Sequence, residues 1–314
     1  MRPAQGRPAP GAPAAPSEQS GPSVSLSRGP AGAAARIDRA FLRLSSGQIH
    51  YRTAGAGLDP SGASGRVPLY MAHAGPGSSR GLSAMIGELG RDRWVLAPDM
   101  PGNGDSDPPA TARTSLAYYV QCAVGTLDAL GIAQVDFYGQ HTGAHIGCEL
   151  ALAHPSRVRR LVLDGLALFD PALTAQMAAH YAPPIDPDDH GGHLSQVWTF
   201  VRDLSLHFPH FLRDPAHRLV RSPVPPPLVR HELAADVFRS LATYHLAYHA
   251  VFAHSPRERL PQLAHPTLVL GALEDPLSDY AAAVAEIIPG ARLEMVSREQ
   301  RHRPVAEFLD ATLD

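Results

Sequence analysis

His141 stands at the centre of Gly139-Gln140-His141-Thr142-Gly143, where an apolar run gives way to a helical pattern and glycines lie two residues to either side. A strand-turn-helix of this kind forces its central residue to positive φ and lifts the side chain above the sheet. Histidine is among the few non-glycine residues that tolerate that conformation. Three roles are open to an imidazole so placed. It can attack an acyl carbon through a ring nitrogen, giving an acyl-imidazole that water readily hydrolyses. It can act as general base or acid, on water attacking an ester or on a proton of an activated carbon, as in a cofactor-free lyase or isomerase. The pocket can also simply bind a ligand. The positive end of the following helix dipole is expected to depress the imidazole pKa and keep it neutral. Thr142 is expected to cap that helix.

The elements that must position His141 are legible as alternation. Residues 42–44 and 49–51 alternate around a turn at 45–48, as a hairpin does. Compact apolar runs at 67–72, 94–97, 135–138, 161–163, 267–270 and 293–296 read as strands buried on both faces. Helical patterns lie between them near 81–90, 115–130, 142–154, 278–288 and 303–313. Strands alternating with helices predict an α/β fold with a mostly parallel, doubly covered sheet. The stretch 168–262 breaks the rhythm with helical segments and the Pro-rich loop 223–227, and reads as a helical lid inserted after one strand. The core then comprises 37–167 and 263–314. Residues 1–36, rich in Pro, Ala and Gly, cannot bury enough surface to offset their ordering entropy and are expected to form a disordered tail.

A chain of 314 residues, 44% hydrophobic and 18% charged, suits one large globular domain with an insertion. Its net charge of −3 supplies no basic field for a phosphate backbone, so a small molecule is the expected partner rather than nucleic acid. Cys122 and Cys148 fall in helical patterns and read as reduced core thiols. No apolar run approaches the roughly 18 residues of a membrane span, and the N-terminus lacks the apolar segment of a secretory signal, so no membrane association and a cytoplasmic location are expected. The histidines of 168–262 form no recognised zinc signature. His245 and His249 have a shared-face spacing, but packing is the simpler account, and neither metal nor cofactor is implied. Composition sets no oligomeric state.

Four landmarks in order resemble the α/β-hydrolase superfamily, together covering about residues 41–314. They are His73-Ala74-Gly75-Pro76-Gly77, similar to the His-Gly-x-Pro-Gly oxyanion loop; Asp99 to Ser106, similar to Asp-x-Pro-Gly-x-Gly-x-Ser; the Gly139–Gly143 elbow with Arg159 to Gly165 beyond it; and 267–275, similar to the strand and loop that carry the acid. The resemblance implies an α/β-hydrolase fold with an inserted lid and a cofactor-independent hydrolase of a small ester, lactone or comparable carbonyl compound. It implies Asp275, followed by Pro276, as the acid in preference to Glu274, and the backbone N–H groups of Gly75 and Thr142 as an oxyanion hole. The family's second histidine corresponds to His302, although the glycine that usually precedes it is missing and Gln300 stands nearer the usual spacing. The elbow departs from the family by placing His141 where a serine is expected. It is similar to a subgroup with Gly-x-His-Thr-Gly-Ala at the elbow and an Asp, Gly and His-Leu stretch in the lid, here 189–194 followed by Trp198. That likeness makes His193 and Trp198 candidates to line the substrate pocket.

Overall fold

The computed structural model describes residues 34–55, 57–58, 66–111 and 114–312. Most of the expected N-terminal tail lies outside them. Residues 34–36 do not conform to it: the Ala35 N–H donates to the Gly87 carbonyl at 2.8 Å, tying this segment to the core.

The described residues form one eight-stranded sheet from β1 (Asp38–Leu44), β2 (Gly47–Ala54), β3 (Leu69–Ala72), β4 (Val95–Pro98), β5 (Val135–Gln140), β6 (Val158–Asp164), β7 (Thr267–Ala272) and β8 (Arg292–Val296). The order is β1-β2-β4-β3-β5-β6-β7-β8. β1 and β2 pair as an antiparallel hairpin in which Leu44 faces Gly47, and β2 is antiparallel to β4. From β4 to β8 every neighbouring pair is parallel.

The α-helices are α1 (Ser83–Leu89), α2 (Leu116–Ala129), α3 (Thr142–Ala153), α4 (Pro171–His180), α5 (Gly192–Leu204), α6 (Pro227–Arg239), α7 (Tyr244–Phe252), α8 (Pro256–Arg259), α9 (Ala281–Ile287) and α10 (His302–Asp310). Alternation along the central strands sorts side chains to the two faces of the sheet. Phe137, Leu161, Leu163 and Val269 join α2, α3 and α9 in one core, while Tyr138, Val162, Leu268 and Leu270 join α1 and α10 in another. Both faces are therefore covered, as the apolar runs require. The edge strand β8 departs from its expected burial: Leu293 and Met295 are exposed, because β8 has a neighbour on one side only. Cys122 and Cys148 are buried and free.

Between β6 and β7 the chain leaves the sheet for α4 to α8. This insert has an aromatic-rich core of its own, including Tyr181, Phe200, Tyr244, Tyr248 and Phe252. Among the described residues no helix is long and apolar enough to cross a membrane.

Candidate active site

β5 ends at Gln140, α3 begins at Thr142, and His141 between them has φ 48° and ψ −109°. It is the non-glycine residue with positive φ among those described. The flanking glycines follow from close approach. A Cβ on Gly139 would lie 2.2 Å from the Gly143 carbonyl oxygen, and one on Gly143 would lie 2.2 Å from that of Ala72. The His141 N–H donates to the Asp164 carbonyl at 2.8 Å, anchoring the apex across β6.

Asp275 follows β7. Its Oδ1 accepts from the Leu277 N–H at 2.9 Å, while its Oδ2 lies 2.7 Å from His141 Nε2. Glu274 is occupied elsewhere, accepting from the Arg298 N–H at 2.9 Å. The acid therefore contacts the elbow residue itself. The His141 ring lies against Gly165: a Cβ on that residue, which has φ +67°, would lie 2.6 Å from His141 Cδ2. Next to Gly165, buried Asp164 accepts from the Tyr138 hydroxyl and, at 2.8 Å, from Arg301 Nη1.

These contacts reverse the expected charge balance of His141. Burial pulls the imidazole pKa down, but the charge and hydrogen bond of Asp275, assisted by Asp164, more than offset it and the net shift is upward. The Asp275 carboxylate, not the helix dipole, sets the direction of the shift. Burial pushes the Asp275 carboxyl up, yet His141, the Leu277 N–H and Arg298 bring it down to about 2.

The N-cap position falls to His141, whose side chain makes no cap, and Thr142 is the first helical residue. Its hydroxyl accepts from the Gly75 N–H at 3.3 Å, so both residues expected to supply an oxyanion hole meet at one edge of the site. His73 braces their loop, with Nδ1 donating to the Ala74 carbonyl at 2.9 Å and Nε2 accepting from the Met100 N–H at 2.9 Å. Gly75, His141, Thr142 and Asp275 open into a cavity of about 330 Å³, walled on the insert side by Met177, Tyr181, Phe208 and Phe252.

Three expected site residues stand apart. His302 begins α10, and its Nδ1 hydrogen-bonds the Glu299 carbonyl at 3.1 Å rather than Asp275. With no glycine after β8, the chain turns through a short 3₁₀ segment, Arg298–Gln300, which brings Arg298 to the cavity instead. His193, in the first turn of α5, accepts from the Asp188 N–H through Nδ1 at 3.2 Å, away from the cavity lining. Trp198 is 40% exposed and packs under the Arg230 guanidinium, because α5 buries its Val197, Phe200 and Val201 stripe and leaves Trp198 outside.

Sequence reasoning missed a second histidine in the cavity wall. His145, one helical turn after His141 and 3% exposed, hydrogen-bonds His254 through the two Nδ1 atoms at 2.8 Å. His254 Nε2 in turn meets Glu149 Oε1 at 2.9 Å. The i, i+4 spacing of His141 and His145 was a signal, but His254 is 109 residues away in sequence. Among the described residues two donor clusters lie close enough to hold a metal, Cys148 with Glu149 and His254, and His50 with Asp99 and Asp105. In both, the acidic and imidazole groups are already engaged by protein, including Arg259 on Glu149 and the Ser79 and Asp105 N–H groups on Asp99.

Residues 67–299 match the family model described as alpha/beta hydrolase fold. A 116-residue stretch is 46% identical to 2-hydroxymuconate semialdehyde hydrolase of a Pseudomonas species, covering 35% of this chain and 39% of that protein. The match thus spans about two fifths of the relative's length. Among solved structures, a hydrolase from Pseudomonas aeruginosa superposes with TM-score 0.64 at 25% identity, covering 87% of this chain and 99% of its own. The enol-lactonase from Burkholderia xenovorans superposes with TM-score 0.64 at 19% identity, covering 87% and 100%, which speaks to fold alone.

Proposed function

The chain belongs to the α/β-hydrolase fold family, and on that premise we propose that it hydrolyses a small ester, lactone or similar carbonyl compound, with His141 as the base that activates water. The observation that carries this reading is the 2.7 Å contact between His141 Nε2 and Asp275 Oδ2. An ionised carboxylate only accepts, so Nε2 carries the proton and neutral His141 keeps its lone pair on Nδ1. Asp275 then does for His141 what the acid of a Ser-His-Asp triad does for its histidine: it fixes the tautomer and stabilises the imidazolium that forms. The serine is replaced by water. The Thr142 N–H and, on leaving its 3.3 Å bond to the Thr142 hydroxyl, the Gly75 N–H are assigned to the developing oxyanion. The semialdehyde named for the 46%-identical relative is a carbonyl compound of the class proposed.

Water activation is favoured over an acyl-imidazole because the ring nitrogen far from the backbone is committed to Asp275. Only Nδ1 remains, beside the Cβ branch, where a proton can be taken through water but an acyl carbon is sterically hindered. Rapid-quench intact-mass analysis during turnover of a short aryl ester is expected to show unmodified protein. An acyl mass increment on His141 that forms and decays at the turnover rate would overturn the base assignment.

Gly165→Ala is a second test of the same geometry. The new methyl displaces the His141 ring from Asp275 and strains a positive-φ position. Misplacing a reacting group by about an ångström costs on the order of 100-fold, and turnover is expected to fall by about that factor. Thermal unfolding is expected to show a loss of about 1–2 kcal/mol from backbone strain. An unimpaired Gly165→Ala enzyme would separate the His141 ring position from catalysis.

A further inference from the structure

Hydrolysis moves two protons: one leaves the attacking water, and one must reach the departing atom unless that atom is stable as an anion. His141, once protonated, can return that proton only from Nδ1, so a second donor placed elsewhere in the cavity would let the departing atom be protonated without waiting for His141 to reorient; His302 is not in the cavity. His145 lines the cavity one turn along α3 from His141. Its Nδ1 is used by His254, whereas its Nε2 has no partner among the described residues and is not among the sealed buried atoms. Nε2 therefore opens to the cavity.

The arrangement behind His145 is a directed relay. Glu149 is clamped by Arg259, with Nε 2.8 Å from Oε1 and Nη2 3.0 Å from Oε2. Burial pushes the Glu149 carboxyl up, but His254 and Arg259 bring it down to about 2, so it only accepts. His254 must then carry a proton on Nε2. One further proton occupies the 2.8 Å bond between the two Nδ1 atoms, and its side sets the state of His145 Nε2. When the shared proton is on His254, His254 is an imidazolium against Glu149 and neutral His145 carries its other proton on Nε2. When the shared proton is on His145 and the Nε2 proton has been given up, both rings are neutral and Nε2 is bare.

We propose that His145 is the general acid of this site, donating from Nε2 to the leaving group, with His254 and Glu149 as positioning residues that store the proton behind it. This inference rests on the hydrolytic reading above. In the step, the Nε2–H bond of His145 breaks as the leaving atom gains the proton, and His254 Nδ1–H passes its proton to His145 Nδ1. His254 becomes neutral, and His145 is neutral before and after. That matters in this location: burial, then the charges of His254 and His141, hold the His145 pKa well below the ordinary histidine value, so a standing imidazolium on His145 is disfavoured. The relay keeps the positive charge one ring away, beside Glu149. Relaxation by solvent reloads it with the proton that His141 releases.

The test compares an alkyl ester, whose alkoxide needs a proton to depart, with the matching p-nitrophenyl ester, whose leaving anion is stable. His145→Gln is expected to lower kcat/KM on both and to lower the alkyl-to-aryl ratio by about 30-fold, within the range of general acid catalysis. Glu149→Gln, which leaves His145 in place, is expected to lower the ratio about tenfold and carries the test if His145→Gln does not fold. An equal loss on both esters assigns His145 and Glu149 to structure alone and overturns the proposal, as does an unchanged ratio in either folded variant. The hydrolytic reading fails separately: it falls if wild type turns over neither ester, or if His141→Ala retains aryl-ester turnover.

Discussion

Alanine in place of His141 is expected to lower kcat/KM for short aryl esters by about 10⁴-fold, the upper range for losing a positioned general base. The change removes the imidazole but leaves the Gly139 and Gly143 close contacts that shape the turn. Alanine at φ 48° carries a strain cost of roughly 1 kcal/mol, so some stability is lost, far less than the roughly 5.4 kcal/mol in transition-state energy that the rate change represents. A distinguishing measurement is the His141→Ser variant, which restores the family's usual elbow nucleophile. Serine there has Asp275 nearby but no histidine between them, since His302 is engaged with the Glu299 carbonyl. Its hydroxyl therefore stays unactivated, and His141→Ser is expected to be about as inactive as His141→Ala. Substantial turnover by the serine variant would mean that another group in the cavity can serve as its base, with His145 the first to examine. Undiminished activity in the alanine variant would remove His141 from the mechanism altogether.

The parts of this site that the sequence made legible are those set by backbone. Glycines 139 and 143 are demanded by 2.2 Å approaches to main-chain oxygens, and no other residue would fit whatever the chemistry above them. The period-2 split of the central strands into two cores is likewise a property of adjacent residues. Asp275 was recoverable because its place just beyond β7 is fixed by the strand order, and its Oδ1 caps the next 3₁₀ turn. What escaped depends on side chains meeting across long sequence separations. The His145–His254 contact joins α3 to the loop after α7, and nothing local to either residue signals the other. The insert aromatics Tyr181 and Phe252 wall the cavity through the packing of α4 and α7, and Phe208 reaches it from the segment after α5. His193 and Trp198 were misplaced for the same reason: helix periodicity says that α5 has a buried face, but not that its outer face would carry Trp198. The error over His302 is of a third kind. A single missing glycine changed the turn after β8, and the residue brought to the cavity became Arg298.

Asp275→Asn is expected to lower kcat by about 10³- to 10⁴-fold, and its pH profile identifies the cause. The wild-type carboxylate accepts from His141 Nε2 at 2.7 Å and so keeps the free lone pair on Nδ1. An asparagine can present its NH₂ to the same nitrogen, which would place the imidazole proton on Nδ1, the wrong tautomer for a base facing the cavity. In wild type, burial lowers the His141 pKa but Asp275 raises it further, to a net value above the ordinary 6.5. Activity that requires neutral His141 is therefore lost as pH falls through that raised value, giving an acid limb above 6.5. Without the carboxylate, burial dominates, and the residual activity of Asp275→Asn is expected to show its limb shifted to lower pH. A limb that stays put would assign the titration to another group. Stability provides an independent check of the sign. The raised His141 pKa contributes stability that is present below 6.5 and lost as pH rises through the folded-state value. The lowered Asp275 pKa contributes stability that is present above 3.8 and lost as pH falls toward about 2. Both contributions coexist between 3.8 and 6.5. The difference in unfolding free energy between wild type and Asp275→Asn is accordingly expected to be largest in that window and to shrink on either side, as denaturant titrations across pH would measure.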